Sequence, residues 1–187
     1  MKLIELLETA PNFAGLSRAD VEALDRIMME RDYPDGYEFF RQGSPADTIY
    51  IIVDGEVAVT QRHSDDRGHT ELKRMGSGEI FGEWALIDHT KRHACCKAVG
   101  PVRVASLPRS AFELMYTANS SMPHHFLHII ARQLARDLRS LVGTLRQTIF
   151  EDANAPSQVY DGPERRSDND RRQGERRGGR GDVNPVG

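Results

Sequence analysis

The sequence predicts a mainly β domain, an all-β roll or sandwich, with helices at both ends. Three observations carry this. Residues 33–109 hold several short β-rich runs separated by Gly, Pro and Asp. Residues 1–32 place apolar side chains at helical spacing. From Pro123 a long run repeats apolar residues at alternating intervals of four and three.

The elements follow in order. Leu3, Leu6, Leu7 and Ala10 form one helical stripe. After Pro11-Asn12, Ser17 is the N-cap of a second helix, with Asp20 three residues on as a weaker relative of the capping box. Val21, Leu24, Ile27 and Met28 share its apolar face. YPDGYEFFRQG reads as turn, strand, turn. In TIYIIVDGEVAVTQR, two β-rich runs flank Asp54-Gly55, a favoured hairpin pair. HSDDRG is a polar loop, TELKRM a strand and MGSGEIFG a glycine-rich turn. ACCKAV and VRVASL are two short strands separated by Gly100-Pro101.

Helix returns at RSAFELMYTAN, then from Pro123 onward. Leu127, Ala131, Leu134, Leu138, Leu141, Leu145 and Thr148 form a coiled-coil seam, widened by Ile130, Ala135, Val142 and Ile149. A seam this long exceeds what a small roll covers, so a homodimer through the 123–150 helix is expected. The alternative is a long helix packed only on its own domain. Gly143 marks a kink or a close helix approach. After Asp152 apolar residues almost vanish. ERRSDNDRRQGERRGGRG predicts a disordered, mixed-charge tail. Its plain role is solubility; docking to RNA, an acidic partner or membrane lipid is the sharper alternative.

Bulk properties exclude several classes. The 187 residues are 39% hydrophobic and 28% charged, ordinary for a globular chain. A net charge of −3 gives no global pull toward nucleic acid or anionic lipid. No apolar run approaches the roughly 20 residues of a membrane span. The two cysteines, Cys95 and Cys96, are adjacent and unsuited to pairing with each other. One of them is expected to be a buried small hydrophobe. A cytoplasmic location is the expectation. No Ser-His-Asp arrangement, GxSxG, P-loop or HExxH is present, so catalysis is not expected. His124 and His128 are one helical turn apart but lack a third partner, so no metal is expected. Together with His125 they read as polar residues on the first turn after Pro123.

FGEWALIDHTKRHA, residues 81–94, carries the chemistry. A glycine-tight turn lets backbone N–H groups approach a phosphate. A guanidinium supplies forked, charge-assisted hydrogen bonds to it. A carboxylate, being an acceptor, can hold a sugar hydroxyl. Gly82, Arg92 and Glu83 supply these three parts. The plain alternative is a Glu83–Arg92 salt bridge in a ligand-free roll.

At these residues the chain resembles the cyclic nucleotide-binding domain family. Phe81, Gly82, Glu83, Ala85, Leu86, Arg92 and Ala94 fall in register with that family's phosphate-binding cassette. The resemblance runs from about residue 6 to 150 and includes the Phe-Arg-Gln-Gly-Ser-Pro-Ala-Asp turn. It implies a β-roll of the jelly-roll type with helices at both ends. It implies that Arg92 binds the exocyclic oxygens of cyclic AMP or cyclic GMP, and that Glu83 binds the ribose 2′-OH. Gly82 and Ala85 would offer backbone donors, and the long C-terminal helix would be lid and dimer seam.

The chain departs from the family in places. His93 stands where Ala, Ser or Thr is common, which leaves base preference open; it donates one hydrogen bond or fills space. Trp84 replaces an aliphatic residue and is expected to pack under the cassette, with base stacking as the alternative. Leu141 and Val142 align with base-contacting hydroxyl residues of the catabolite activator relatives. Arg136, Arg139, Ser140 and Thr144 are the nearest polar candidates.

The expected organisation is N-terminal helices over 1–32 and a roll over 33–109, with its cassette at 80–96. Lid and dimerisation helices follow over 110–152, then the tail over 153–187. The expected function is a cyclic nucleotide-binding regulator that signals through its C-terminal helix or an unidentified effector, with no cofactor. No amphipathic helix follows the long one, so sequence-specific DNA binding is not expected. The alternatives are a nucleotide-free roll used for assembly and a cyclic dinucleotide receptor. The Arg-Arg steps of the tail are a cue for the latter, although its Asp/Asn-x-Ser-x-x-Gly partner motif is missing.

Overall fold

A computed structural model describes residues 1–63, 68–87, 90–117 and 121–154. The chain divides into two compact units, Met1–Gln147 and Thr148–Gly187. In the second, residues 148–154 are helical. Residues 155–187, and with them nearly all of the expected tail, lie outside the described residues.

The first unit opens with α1 (Leu3–Thr9), a 3-10 turn at Pro11–Phe13 and α2 (Arg18–Ile27). Ser17 caps α2 with a reciprocal box. Its hydroxyl accepts from the Asp20 N–H at 3.2 Å, and the Asp20 carboxylate accepts from the Ser17 N–H at 2.9 Å. The change from helix to strand comes at Met29, earlier than the expected boundary at 33, because β1 spans Met29–Tyr33.

The strands form one antiparallel sheet curled into a roll. They are β1, β2 (Glu38–Phe40), β3 (Thr48–Arg62), β4 (His69–Met75), β5 (Ile80–Phe81) and β6 (Cys95–Pro108). The order is β1-β6-β3-β4, with β2 on β6 and β5 on β3. This is the mainly β fold with flanking helices that the alternating pattern predicts.

The expected hairpin at Asp54-Gly55 is not formed. The runs on either side of it are two halves of one bent strand, and ACCKAV and VRVASL are likewise halves of β6. Thr48–Ile52 pairs with Val104–Pro108, and Glu56–Thr60 pairs with Cys95–Val99. The register shifts on both sides of Asp54, where the paired strands turn a corner together. Gly55, with φ +92°, sits at that corner, and a Cβ there would lie 2.7 Å from the Pro101 carbonyl oxygen. Glycine is therefore used for close backbone approach, with no reversal of the chain. The sequence signal is the same for both uses, which is why the hairpin was the natural expectation.

Two apolar clusters fill the unit. Inside the roll, Ile52, Val57, Met75, Phe81, Cys96 and Val104 pack together. At its helical end, Leu24, Ile49 and Leu107 meet Phe112 of α4 (Arg109–Thr117) and Phe126 and Ile130 of α5 (Met122–Asn154). Only the first part of α5 is spent on this core. The seam packs on its own domain as far as Leu134, and Leu138, Leu141, Val142 and Leu145 are exposed. Beyond its own helix, no atom of the described residues lies within 4 Å of a Cβ placed on Gly143, so no close helix approach is formed there among the described residues.

Gly55→Ala is expected to cost about 2–4 kcal/mol, from positive φ plus overlap with Pro101. Gly100→Ala, with φ +72° but open space around the new methyl group, should cost about 1 kcal/mol. Denaturant unfolding of the two variants checks this; equal costs would contradict the corner packing.

Candidate functional site

The site is built where β5 ends, a short helix follows, and the chain returns to enter β6. Phe81 is buried and stacks on Tyr50 of β3, with centroids 4.9 Å apart and planes 14° from parallel. It anchors the turn that follows. Gly82 has φ +76°, and a Cβ there would stand 2.5 Å from Nη1 of Arg92. Only glycine lets the turn and the guanidinium share this space. Helix α3, Trp84–Ile87, comes next and includes Ala85 and Leu86. The sequence gives little sign of so short a helix.

Arg92 is 6% exposed. Its backbone is pinned to the Phe40–Ser44 segment: its N–H donates to the Ser44 carbonyl at 3.0 Å, and its carbonyl accepts from the Gly43 N–H at 2.7 Å. Its guanidinium donates from Nη1 to the Gly82 carbonyl at 3.0 Å and from Nη2 to the Thr48 carbonyl at 2.7 Å. The guanidinium carbon lies 3.9 Å from the centroid of the Phe40 ring. Nε is buried with no partner. Burial lowers the pKa of Arg92, the nearby tyrosine and carboxylates only partly opposing it. A buried cation with an unsatisfied donor is a costly arrangement that an incoming anion relieves.

Glu83 is 7% exposed, and burial pushes its carboxyl up to about 7. Its own backbone N–H, the Trp84 side chain and Lys73 work in the opposite direction, while Asp137 adds to the rise. No ion pair joins Glu83 to Arg92 among the described residues, so the salt-bridge alternative is not what the fold builds. The two groups nevertheless border one region. Cys96 of β6 feels both, Glu83 raising and Arg92 lowering a thiol that burial has already pushed up to about 12.

The other expected residues divide. Trp84 is 52% exposed, with its ring 4.9 Å from that of His93, so it does not pack under the cassette. The short α3 helix turns it outward, beside His93. His93 is exposed and bonds Thr90 Oγ1 through Nε2 at 2.8 Å. Ala94 is half-buried just before β6. Arg136 donates to Asn12 Oδ1 at 2.9 Å, and Asn12 in turn donates to the Gly78 carbonyl at 2.9 Å, so Arg136 is bonded to the N-terminal segment and not to a cassette residue. Arg139 and Ser140 are exposed on α5 beyond its packed part. Both Cys95 and Cys96 are buried and free, where only one was expected inside. Cys96 packs inside the roll, while Cys95 lies against the Gln42 N–H, which donates to its Sγ at 3.2 Å.

Three contacts were not foreseen. Gln133 of α5 is buried, accepts from the Ile80 N–H at 2.9 Å and donates to the Ile80 carbonyl at 2.7 Å. It thereby ties α5 to the strand that enters the cassette. A signal existed: Gln133 follows Ile129 by four and Ile130 by three, so it is a polar residue on the packed face. Lys73 pairs with Glu79 and with Asp137 of α5, each at 2.8 Å. Burial disfavours its charge, but those two carboxylates more than compensate and raise its pKa. His125, expected to be a polar residue of the first turn, bonds through Nδ1 to the buried Asp20 at 2.8 Å. No cluster of metal-ligating side chains occurs among the described residues.

Glu83 gives a pH prediction for the nucleotide-free protein. A carboxyl whose pKa rises from the ordinary 4.5 to about 7 on folding contributes stability that is full below the lower value. That contribution is lost as pH climbs through the upper one. Glu83→Gln should therefore flatten the fall in thermal stability between about pH 4.5 and 7, with the variant gaining on the wild type as pH rises. Parallel profiles would contradict the burial of an ionising Glu83.

Comparison with known proteins bears on the fold and the family. Residues 30–119 match the model of the cyclic nucleotide-binding domain. A CRP-like cAMP-activated global transcriptional regulator of Mycobacterium tuberculosis is 30% identical over 137 residues, 73% of this chain and 61% of that protein. A cAMP-dependent protein kinase type II regulatory subunit of Drosophila melanogaster is 34% identical over 110 residues, 58% of this chain and 29% of that protein. The chain thus spans less than two thirds of these relatives. Among solved structures, the catabolite activator protein of Thermus thermophilus superposes with a TM-score of 0.62 at 31% identity, covering 77% of this chain and 65% of that one. A cyclic nucleotide-binding domain from Methylobacillus flagellatus kt has the same fold, with a TM-score of 0.69 at 24% identity over 78% of this chain and 82% of that one. No described helix is long and apolar enough to cross a membrane. By motif, fold and kinship, the chain carries a domain of the cyclic nucleotide-binding family.

Proposed function

We propose that this protein is a cyclic nucleotide sensor whose cassette binds the cyclic phosphate without cutting it. Arg92 neutralises the phosphate and Glu83 accepts from the ribose 2′-OH. The observation that carries this reading is the buried Arg92 guanidinium, whose Nε has no partner while Gly82 leaves the turn open against it. An anion at that point satisfies the orphan donor and offsets the cost of burying the charge. Cyclic AMP is the first nucleotide to test, because the Mycobacterium relative is described as cAMP-activated and the Drosophila one as part of a cAMP-dependent kinase. Arg92→Ala is expected to cost about 2–3 kcal/mol of affinity, or roughly 30- to 150-fold. Calorimetry with cyclic AMP and cyclic GMP on both proteins reads this directly. Wild-type affinity retained by the variant would reject the assignment.

The signal leaves through α5. Gln133 and Asp137 fasten this helix beside the cassette, and the exposed Leu138, Leu141, Val142 and Leu145 continue from that point. A second copy of the chain, laid along this stripe, buries it as a helix–helix seam. A cytoplasmic site of action belongs to the same reading and is supported by two free cysteines. Leu141→Asp with Leu145→Asp should weaken self-association by at least roughly 100-fold, since each buried leucine of such a seam is worth about 2 kcal/mol. Sedimentation should show a wild-type dimer and a monomeric variant; a monomeric wild type at micromolar concentration would contradict the seam.

A further inference from the structure

We propose that Phe40 is the positioning residue for Arg92, so that the strength of anion binding at the cassette is set in part by the electron density of an aromatic ring at the end of β2. The inference rests on the reading of Arg92 as the phosphate-binding group.

Several observations converge on it. Phe40 ends β2, far from the cassette in sequence, yet its ring centroid is 3.9 Å from the guanidinium carbon of Arg92. That distance is well inside the range at which a ring face attracts a cation. The same ring borders Gly82, whose missing side chain would come within 3.3 Å of its Cε1 atom. Phe40 is itself held from behind, with Phe81 and Tyr50 each 6.1 Å away between centroids. The segment that continues from it fixes the Arg92 backbone through Gly43 and Ser44. Phe40 and the next residues therefore seat both the main chain and the side chain of Arg92.

The two carbonyls of Gly82 and Thr48 fix the guanidinium within its plane. The ring supports one of its faces and excludes water there. This leaves Nε as the donor without a partner. A guanidinium held in this way loses little rotamer freedom when a phosphate arrives, and that favours affinity. Packing alone would ask only for an apolar group of similar size at position 40. Attraction of the cation asks for ring electron density.

This difference makes the test. Phenylalanines of increasing fluorination are placed at position 40 in the full chain, alongside Phe40→Leu and Phe40→Tyr. Fluorine drains the ring face while hardly changing its bulk. Cyclic AMP affinity is measured by calorimetry, stability by thermal unfolding, and the Arg92 Hε resonance by NMR in the nucleotide-free protein. The expected result is a stepwise loss of affinity along the fluorine series with the fold retained, the unfolding temperature falling by no more than a few degrees. Phe40→Leu should lose roughly tenfold and Phe40→Tyr should stay within about threefold of the wild type. Arg92 Hε should be shifted upfield by the ring in the wild type and move to its ordinary position in Phe40→Leu. Affinity that is flat along the fluorine series would overturn the proposal, as would an unshifted wild-type Hε. A wild type that binds no cyclic nucleotide would instead remove the functional reading, and the Hε resonance would still decide whether Phe40 holds Arg92.

Discussion

The arrangement of this domain turns on one buried guanidinium. Placing Arg92 inside the roll is costly unless its charge and its donors are met. Carbonyls of Gly82 and Thr48 meet part of the demand, and Phe40 covers a face. One donor remains without a partner. Much of the surrounding sequence follows from this. Gly82 has no side chain because the guanidinium occupies that space, and the turn at Gly43-Ser44 is where the Arg92 backbone is bonded.

A second group makes the site asymmetric. Glu83 is as buried as Arg92 but does not pair with it, and burial holds its carboxyl near neutrality. Two buried ionisable groups of opposite sign, not paired with each other, thus both act on Cys96 in the electrostatics of the site. The helix that borders this region is fixed by Gln133 on Ile80 and by Asp137 on Lys73. Asp137 of α5 is also among the groups that raise the Glu83 pKa, after burial itself.

Much of this was legible in the residues themselves. Alternation along TIYIIV and VRVASL marked the strands, and Ser17 with Asp20 marked the start of α2. Gly82, Glu83 and Arg92 could be singled out because a tight turn, an acceptor and a fork are what a sugar phosphate requires. The corner at Gly55 was not legible, since a glycine after Asp reads the same whether the chain reverses or two strands bend together. Contacts between distant segments were also hidden. Nothing local in FFRQG indicates that Phe40 lies beneath Arg92, and nothing in His125 points to Asp20. Gln133 lay between these cases: its place on an apolar face was visible, but its partner at Ile80 was not.

A crystal structure of the domain soaked or grown with cyclic AMP tests the central claim most directly. The account predicts phosphate oxygens within hydrogen-bond distance of the Arg92 guanidinium, Nε included, and a ribose hydroxyl against the Glu83 carboxylate. A nucleotide bound elsewhere, with Arg92 still donating only to the Gly82 and Thr48 carbonyls, would contradict it.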